Sequence, residues 1–566
     1  MPLKRMTPLF LLFFSLACSN APESESAEKS PEPTPVQQQG QLATGSQGMV
    51  SSAHPLATQA GLDVLARGGN AFDAMVAIAA TLNVVEPMMS GMGGYGTVLV
   101  YDAKTQKSRF LNCSGRIPAS LDSDVFRAPT KNYMANRRGP KAISTPGTVT
   151  AWELMHKEYG TQPWESLFDV SIKLAEQGFP LGGRTAGVVK STYETFPESV
   201  KAFYGKDGQP LKEGELLVQK DLANSLRLVA KGGAEVICSG ELGQRIGATM
   251  KAADSFLSLE DLANNKAEWY DPISIMYRDH EVITASPPAT AFPSLIRLGL
   301  MSQYDAKKLG HNSADYLHTF AEVTKHALWS RLRYAGDPEL TPPPLDMLLS
   351  EAYWQEQVAN IDPAKAKDFV PPPISPAESK NTTHFAVADK FGNVISATQT
   401  LGNLFGSRIM AEGTGIWLNN SLAYCTYEPK GNPMDAHAGH HKLSGDCPTF
   451  IMKDGRPWVS VGTPGGHTIG QTVPQMVMNL IDFDMDIYQA IASPRVSFGE
   501  PNELMVEKTL PESVLDELSK RGHHLKSVGK LGNAHGVTVE YDAAGKPVRF
   551  TGASDPRGQG LAKGLK

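Results

Sequence analysis

Two short segments of alternating character, residues 382–388 and 394–400, flank the connector Asp389-Lys390-Phe391-Gly392-Asn393. Alternation over that length marks strands, and Asp, Gly and Asn are residues of tight turns. The two segments therefore pair as a hairpin. A five-residue turn centred on Phe391 sets the register, so residues symmetric about that position face each other. Thr382 then stands opposite Thr400, with Cβ atoms about 4.5–5.5 Å apart, near enough for the two hydroxyls to hydrogen-bond. A bulge would change this pairing.

A threonine hydroxyl is a poor nucleophile at neutral pH and needs a base beside it. The free α-amine of an N-terminal threonine supplies one, because its pKa of about 7.7–8.0 lies near working pH. Thr382 would gain that amine if the chain were cut after Asn381. The preceding stretch, residues 362–380, carries Pro371-Pro372-Pro373 and reads as an exposed, poorly ordered loop that tolerates a break.

A second element is Gly462-Thr463-Pro464-Gly465-Gly466-His467, placed between an expected strand and an apolar helix that begins near Gln471. Adjacent N–H groups of a glycine turn at a helix start can hold a developing oxyanion. A plain tight turn has the same composition. Around these elements the periodicity predicts further strands at 97–101, 415–418, 449–452, 458–462 and 536–541. It predicts helices at 57–66, 71–85, 152–159, 164–177, 219–231, 317–333, 473–481 and 511–521. Sheets with helices outside them make a layered α/β protein.

Other functions are disfavoured. The cluster Gly91-Met92-Gly93-Gly94-Tyr95-Gly96 follows a helix and precedes a strand, the reverse of the order a dinucleotide fingerprint needs. A net charge of -6 gives no ground for nucleic-acid binding. His437, His440 and His441 sit in a Gly-rich stretch beside Lys442 and read as solvated loop histidines rather than metal ligands. Five cysteines are too few for a disulfide framework. With Cys18 set aside, Cys113, Cys238, Cys425 and Cys447 are expected as buried thiols, with a bridge left open.

The N-terminus reads as an export signal. Lys4 and Arg5 precede the apolar run 8–17, too short to span a bilayer, and Cys18 follows at once. That arrangement resembles a bacterial lipoprotein signal, with Cys18 lipidated and the product periplasmic or outer-membrane-associated. Simple secretion and an uncleaved anchor are the alternatives. Residues 19–41 are rich in Ser, Glu, Pro and Gln and read as a disordered tether, with the folded part beginning at about Gly45.

Taken together, the motifs resemble the gamma-glutamyltransferase family. Asn381-Thr382-Thr383-His384-Phe385 is similar to its processing site, and Thr398-Gln399-Thr400-Leu401 with Phe405-Gly406-Ser407 to the segment carrying its second threonine. Gly415-Ile416-Trp417-Leu418-Asn419-Asn420, the loop 462–466 and Gly552-Ala553-Ser554-Asp555-Pro556-Arg557 follow in order. Upstream, Gly68-Gly69-Asn70-Ala71-Phe72-Asp73-Ala74, Pro146-Gly147-Thr148-Val149 and Ala335-Gly336-Asp337-Pro338 also match. The resemblance implies a four-layer αββα sandwich, one domain built from a large subunit (45–381) and a small one (382–566). It implies an acyl-enzyme on Thr382, with Thr400 orienting the hydroxyl and the Gly465 and Gly466 N–H groups holding the oxyanion. Water or an amino acid takes the acyl group, and no metal or cofactor is needed.

The departures fall on substrate recognition. Where the family places a carboxylate-binding Arg stands Ser114, with Arg116 two residues on. Where it places an amine-binding Asp stands Tyr424. Further family positions are taken here by Gly402 with Asn403 beside it, by Ser421, and by Ser444 followed by Gly445. Arg116 and Arg408 are candidate replacement carboxylate binders; each also reads as an ordinary structural arginine. The implied activity is cleavage of γ-glutamyl amides. An acylase for a non-glutamyl group and a non-catalytic surface lipoprotein are the alternatives.

Overall fold

The computed structural model describes residues 41–372 and 381–566. Cys18 and residues 373–380 lie outside the described residues. Two seven-stranded sheets form the centre. The hairpin sheet runs, edge to edge, through Leu561–Leu565, Gly48–Ser52, Asn381–Asp389, Val394–Gly402, Tyr95–Asp102, Lys107–Asn112 and Glu268–Tyr270. The facing sheet runs through Leu42–Gly45, Pro547–Ser554, His535–Tyr541, Arg456–Gly462, Thr449–Lys453, His280–Thr284 and Ile273–Tyr277. Every neighbouring pair in both is antiparallel.

Alternation sorts the hairpin's side chains into two cores. Phe385, Val387, Ile395 and Ala397 point to the helices Pro55–Ala66 and Ala71–Val85. The smaller Ala386 and Ala388 point the other way, into the core they share with Val459, Val461 and Val537 of the facing sheet. Small residues let the sheets approach closely, and the Ser460 hydroxyl donates directly to Ile395 O at 2.9 Å. Beyond the facing sheet, Phe292–Met301, Ala314–Tyr334 and Ile469–Ile481 complete the same core. The order helix, sheet, sheet, helix is an αββα sandwich. Each large apolar side chain so buried contributes about 1.5–3 kcal/mol.

The hairpin turn is fastened to the first helical layer. Asp389 Oδ1 accepts from the Phe391 and Asn393 N–H groups at 2.9 and 3.0 Å, which shapes the turn. Its Oδ2 accepts from Ala71 N at 2.8 Å, at the start of a helix in which every residue is buried. A carboxylate at a helix N-terminus is favourable there.

Some expectations need correction. Residues 415–418 are not a strand but a loop paired with 407–411, held by Ser407 N to Leu418 O and Ala411 N to Ile416 O. The expected helix over 164–177 is a 3-10 turn, Trp164–Leu167, followed by Asp169–Gln177. Ordered backbone begins earlier than Gly45, because Leu42–Gly45 pairs as an edge strand with residues 550–553. Residues 362–370 are the expected exposed loop but are tied down at Phe369, which is buried and whose N–H donates to Asn502 Oδ1 at 2.7 Å. Cys113, Cys238, Cys425 and Cys447 are buried free thiols.

Candidate active site

The hairpin keeps the expected register from Ala388↔Val394 down to Thr383↔Gln399. It then shifts: Asn381 pairs with Gly402, so that Thr400 and Leu401 together stand opposite Thr382. The Thr382 and Thr400 hydroxyl oxygens lie 3.5 Å apart, the outer limit of a hydrogen bond. The same shift turns the Asn381 carbonyl onto Thr400, whose hydroxyl donates to Asn381 O at 2.6 Å and accepts from Gly402 N at 2.7 Å. Both threonines are buried. The bulge thus gathers the Thr382 hydroxyl, the Thr400 hydroxyl and the Asn381 carbonyl into one hydrogen-bonded chain.

Gly465 and Gly466 both have positive φ, 142° and 59°, and lead into the 3-10 turn Gly466–Thr468 and the helix Ile469–Ile481. The first N–H groups of such a start have no intrahelical acceptor. Gly465 and Gly466 line a cavity of about 400 Å³ together with Tyr424, Gly445, Arg297, Arg331 and Glu500.

The residues expected to hold substrate divide. Tyr424 and Gly445 face this cavity and depend on each other: a Cβ built on Gly445 would overlap the Tyr424 hydroxyl. The Tyr424 ring stacks on His467 at 5.4 Å between centroids, and the Arg331 guanidinium lies 5.3 Å from its centre. Ser444 hydrogen-bonds Asp446 Oδ2 at 3.2 Å and lies 3.2 Å from the Thr97 hydroxyl. Asn403 is buried, its N–H donating to Asn420 Oδ1 at 2.8 Å, and Ser421 shares a short hydrogen bond with Ser144. Ser114 is buried, and its Oγ has no partner among the described residues. Arg116 is engaged elsewhere: it binds Glu339 at 2.7 and 2.8 Å and Glu268 at 3.1 Å. Arg408 takes the left-handed φ of 64°.

His441 is not a solvated loop residue. It is buried between Glu268 Oε2, at 2.6 Å, and Asp337 Oδ1, at 3.3 Å. Burial opposes its protonation, but the two carboxylates outweigh that and raise its pKa to about 9. The same contact holds Glu268 down at about 2. Among the described residues two groups bring three metal-type donors together, His318-Glu322-His523 and Asp337-Glu339-His440. In both a protein cation already occupies a carboxylate, Lys325 on Glu322 and Arg116 on Glu339.

Several polar groups here were not visible in the sequence pattern. Lys442 is buried with Nζ 3.3 Å from the centre of the Tyr95 ring, and Tyr95 pairs with Thr400 in the sheet. Burial lowers its pKa and raises that of Asp446 nearby. Arg297 and Arg331 lie on helices whose patterns mark only an apolar face. The one local signal for Arg331 is its place four residues before Ala335-Gly336-Asp337-Pro338.

The αββα sandwich with a threonine at the head of a central strand defines an N-terminal-nucleophile hydrolase. The gamma-glutamyltranspeptidase family model matches residues 57–565, and the chain belongs to that family. It is 36% identical over 532 residues to the glutathione hydrolase proenzyme of Escherichia coli K12, covering 90% of each chain. It is 33% identical to the acylase ACY 1 proenzyme of Pseudomonas sp. V22, covering 92% of this chain and 93% of the other. The cephalosporin acylase of Bacillus halodurans superposes with a TM-score of 0.84 at 28% identity, covering 96% of this chain and 99% of that one.

Proposed function

We propose that the chain cuts itself between Asn381 and Thr382 and then cleaves γ-glutamyl or closely related acyl amides through an ester on Thr382. The observation that carries this reading is the 2.6 Å hydrogen bond from Thr400 to the Asn381 carbonyl, with the Thr382 hydroxyl beside it. Attack of Thr382 Oγ1 on the Asn381 carbonyl carbon puts negative charge on the oxygen that Thr400 already holds. Collapse breaks the C–N bond, leaves the Thr382 nitrogen as an amine and makes an ester. Water then releases Asn381 as a carboxylate. The freed amine becomes the base for the Thr382 hydroxyl in turnover. Gly465 and Gly466 are assigned the substrate oxyanion, and water or an amino acid the role of acceptor. The large and small pieces stay together as a heterodimer, because the hairpin strand is central in its sheet.

The relatives support two acyl classes, glutathione hydrolases and acylases. The test is the denatured mass of the purified protein beside Thr382→Ala. Two fragments meeting at Asn381/Thr382 in the parent, with the variant uncut, are expected. A single full-length chain in both would remove the nucleophile assignment. We further propose export with lipidation at Cys18. Radiolabelled lipid incorporation lost in Cys18→Ala would support it, and an unlabelled parent would refute it.

A further inference from the structure

The cavity beside the glycine turn holds an unusual charge arrangement. Arg331 is 8% exposed, and its Nη2 is buried with no hydrogen-bond partner. Arg297 is 3% exposed and donates only to neutral oxygens: Thr324 Oγ1 at 3.3 Å, Pro293 O at 3.0 Å and Gly470 O at 2.9 Å. Among the described residues neither arginine makes an ion pair. Glu500 is the one carboxylate in the cavity wall; it feels the Arg331 charge from the rim but forms no ion pair with it among the described residues. Ser497 adds a buried hydroxyl without a partner in the same wall. Burial pulls Arg297 down to about 9, and the Arg331 charge pushes the same way. A buried cation without a hydrogen-bonded counter-ion is costly, and a fold keeps one where something else supplies a closer anion.

We propose that this cavity is a carboxylate subsite for the amide substrate, with Arg331 as its anchor and Arg297 behind it. The inference rests on the amide-cleaving reading above. A guanidinium presents two parallel N–H groups that match a carboxylate in shape. The Tyr424 ring, 5.3 Å from the Arg331 carbon, forms one wall. Because Gly465 and Gly466 line the same space, a carboxylate held there belongs to a molecule whose carbonyl reaches the glycine turn. The carboxylate can sit on the acyl part of the amide or on its amine part.

The self-processed enzyme would be given glutaryl p-nitroanilide and the same anilide with the terminal carboxylate replaced by carboxamide. A third substrate would carry a neutral acyl group on 4-aminobenzoate. We expect the parent to prefer a carboxylate-bearing substrate by about 10–100-fold in kcat/KM. Arg331→Gln should erase that preference, and Arg331→Lys should restore it in part. Loss confined to the glutaryl substrate assigns the acyl part, and loss confined to the aminobenzoate the amine part. Equal loss on every substrate, or no preference in the parent, overturns the subsite. If the variant does not fold, thermal shift of the parent decides: stabilisation by glutarate but not by glutaramide is expected, and equal response overturns the proposal. A parent that never cuts itself and turns over none of the amides refutes the underlying reading instead, and the glutarate shift still tests the cavity.

Discussion

The hairpin at 381–402 and the wall at 424–445 stand close to the same chemistry but are built on different logic. In the hairpin, function follows from backbone: one shift in a ladder sets Thr382, Thr400 and the Asn381 carbonyl in contact. In the wall, function follows from side chains that fit one another across long sequence distances. Tyr424 fills the space that a residue larger than glycine would need at 445, and Arg331 packs over its ring from a helix far upstream. Tyr424 and Gly445 therefore fit each other as a pair rather than standing as two separate residues. Backbone geometry tolerates little variation, whereas a packed wall can be exchanged as a set.

The sharpest way to break the comparison is at the hairpin. Thr400→Val keeps the side-chain shape but removes the donor to Asn381 O and the acceptor for Gly402 N. Loss of one such donor slows the step it serves by about 10²–10³-fold. The time course of fragment appearance after expression checks this. Unchanged processing would mean that Thr400 does not hold the carbonyl.

At the wall the expected effect is coupled rather than absolute. Gly445→Ser forces a side chain into the Tyr424 hydroxyl and should cost about 1–3 kcal/mol of stability. Tyr424→Ala alone leaves a cavity. The double variant should be less destabilised than the sum of the two, giving an interaction of about 1 kcal/mol or more in a thermal or denaturant cycle. Additive costs would mean that the two positions are independent.

These regions also differ in how far the sequence shows them. The hairpin register could be counted from a turn of known length, and the helix Ala71–Val85 could be bounded from its pattern alone. Both are local signals. The bulge at Thr400-Leu401, opposite Thr382, was not countable from the turn length; it comes from how the second strand ends at Gly402. Tyr424 and Gly445 were visible as departures but not as partners, since no local pattern links them. His441 reads as a loop residue until Asp337 and Glu268 arrive from other elements.

That ion cluster gives a pH test that bears on the wall. His441 is protonated in the fold up to about 9, against about 6.5 when free. Its ion pairs therefore contribute fully below about pH 6.5, and the contribution is lost as pH rises through about 9. His441→Gln should lower unfolding free energy by about 1–3 kcal/mol at pH 6 and by almost nothing at pH 10. Denaturant midpoints of parent and variant across that range check the convergence. A gap that stays constant would mean that the residue acts by packing alone.

The smallest effect is expected where the sequence offered a substrate ligand. Arg116 spends its guanidinium on Glu339 and Glu268 at a half-exposed site. Exposed pairs of this kind contribute about 0–1 kcal/mol, so Arg116→Gln should barely move the melting temperature. If the charge is consumed by that network, the variant should also keep kcat/KM for glutaryl p-nitroanilide within about threefold, while Arg331→Gln does not. A large rise in KM for Arg116→Gln, with stability intact, would show that substrate displaces Glu339 from the guanidinium. The recognition surface would then extend from the glycine-turn cavity to the Asp337–His441 cluster, and the division between a fixed hairpin and an exchangeable wall would have to include that cluster as part of the wall.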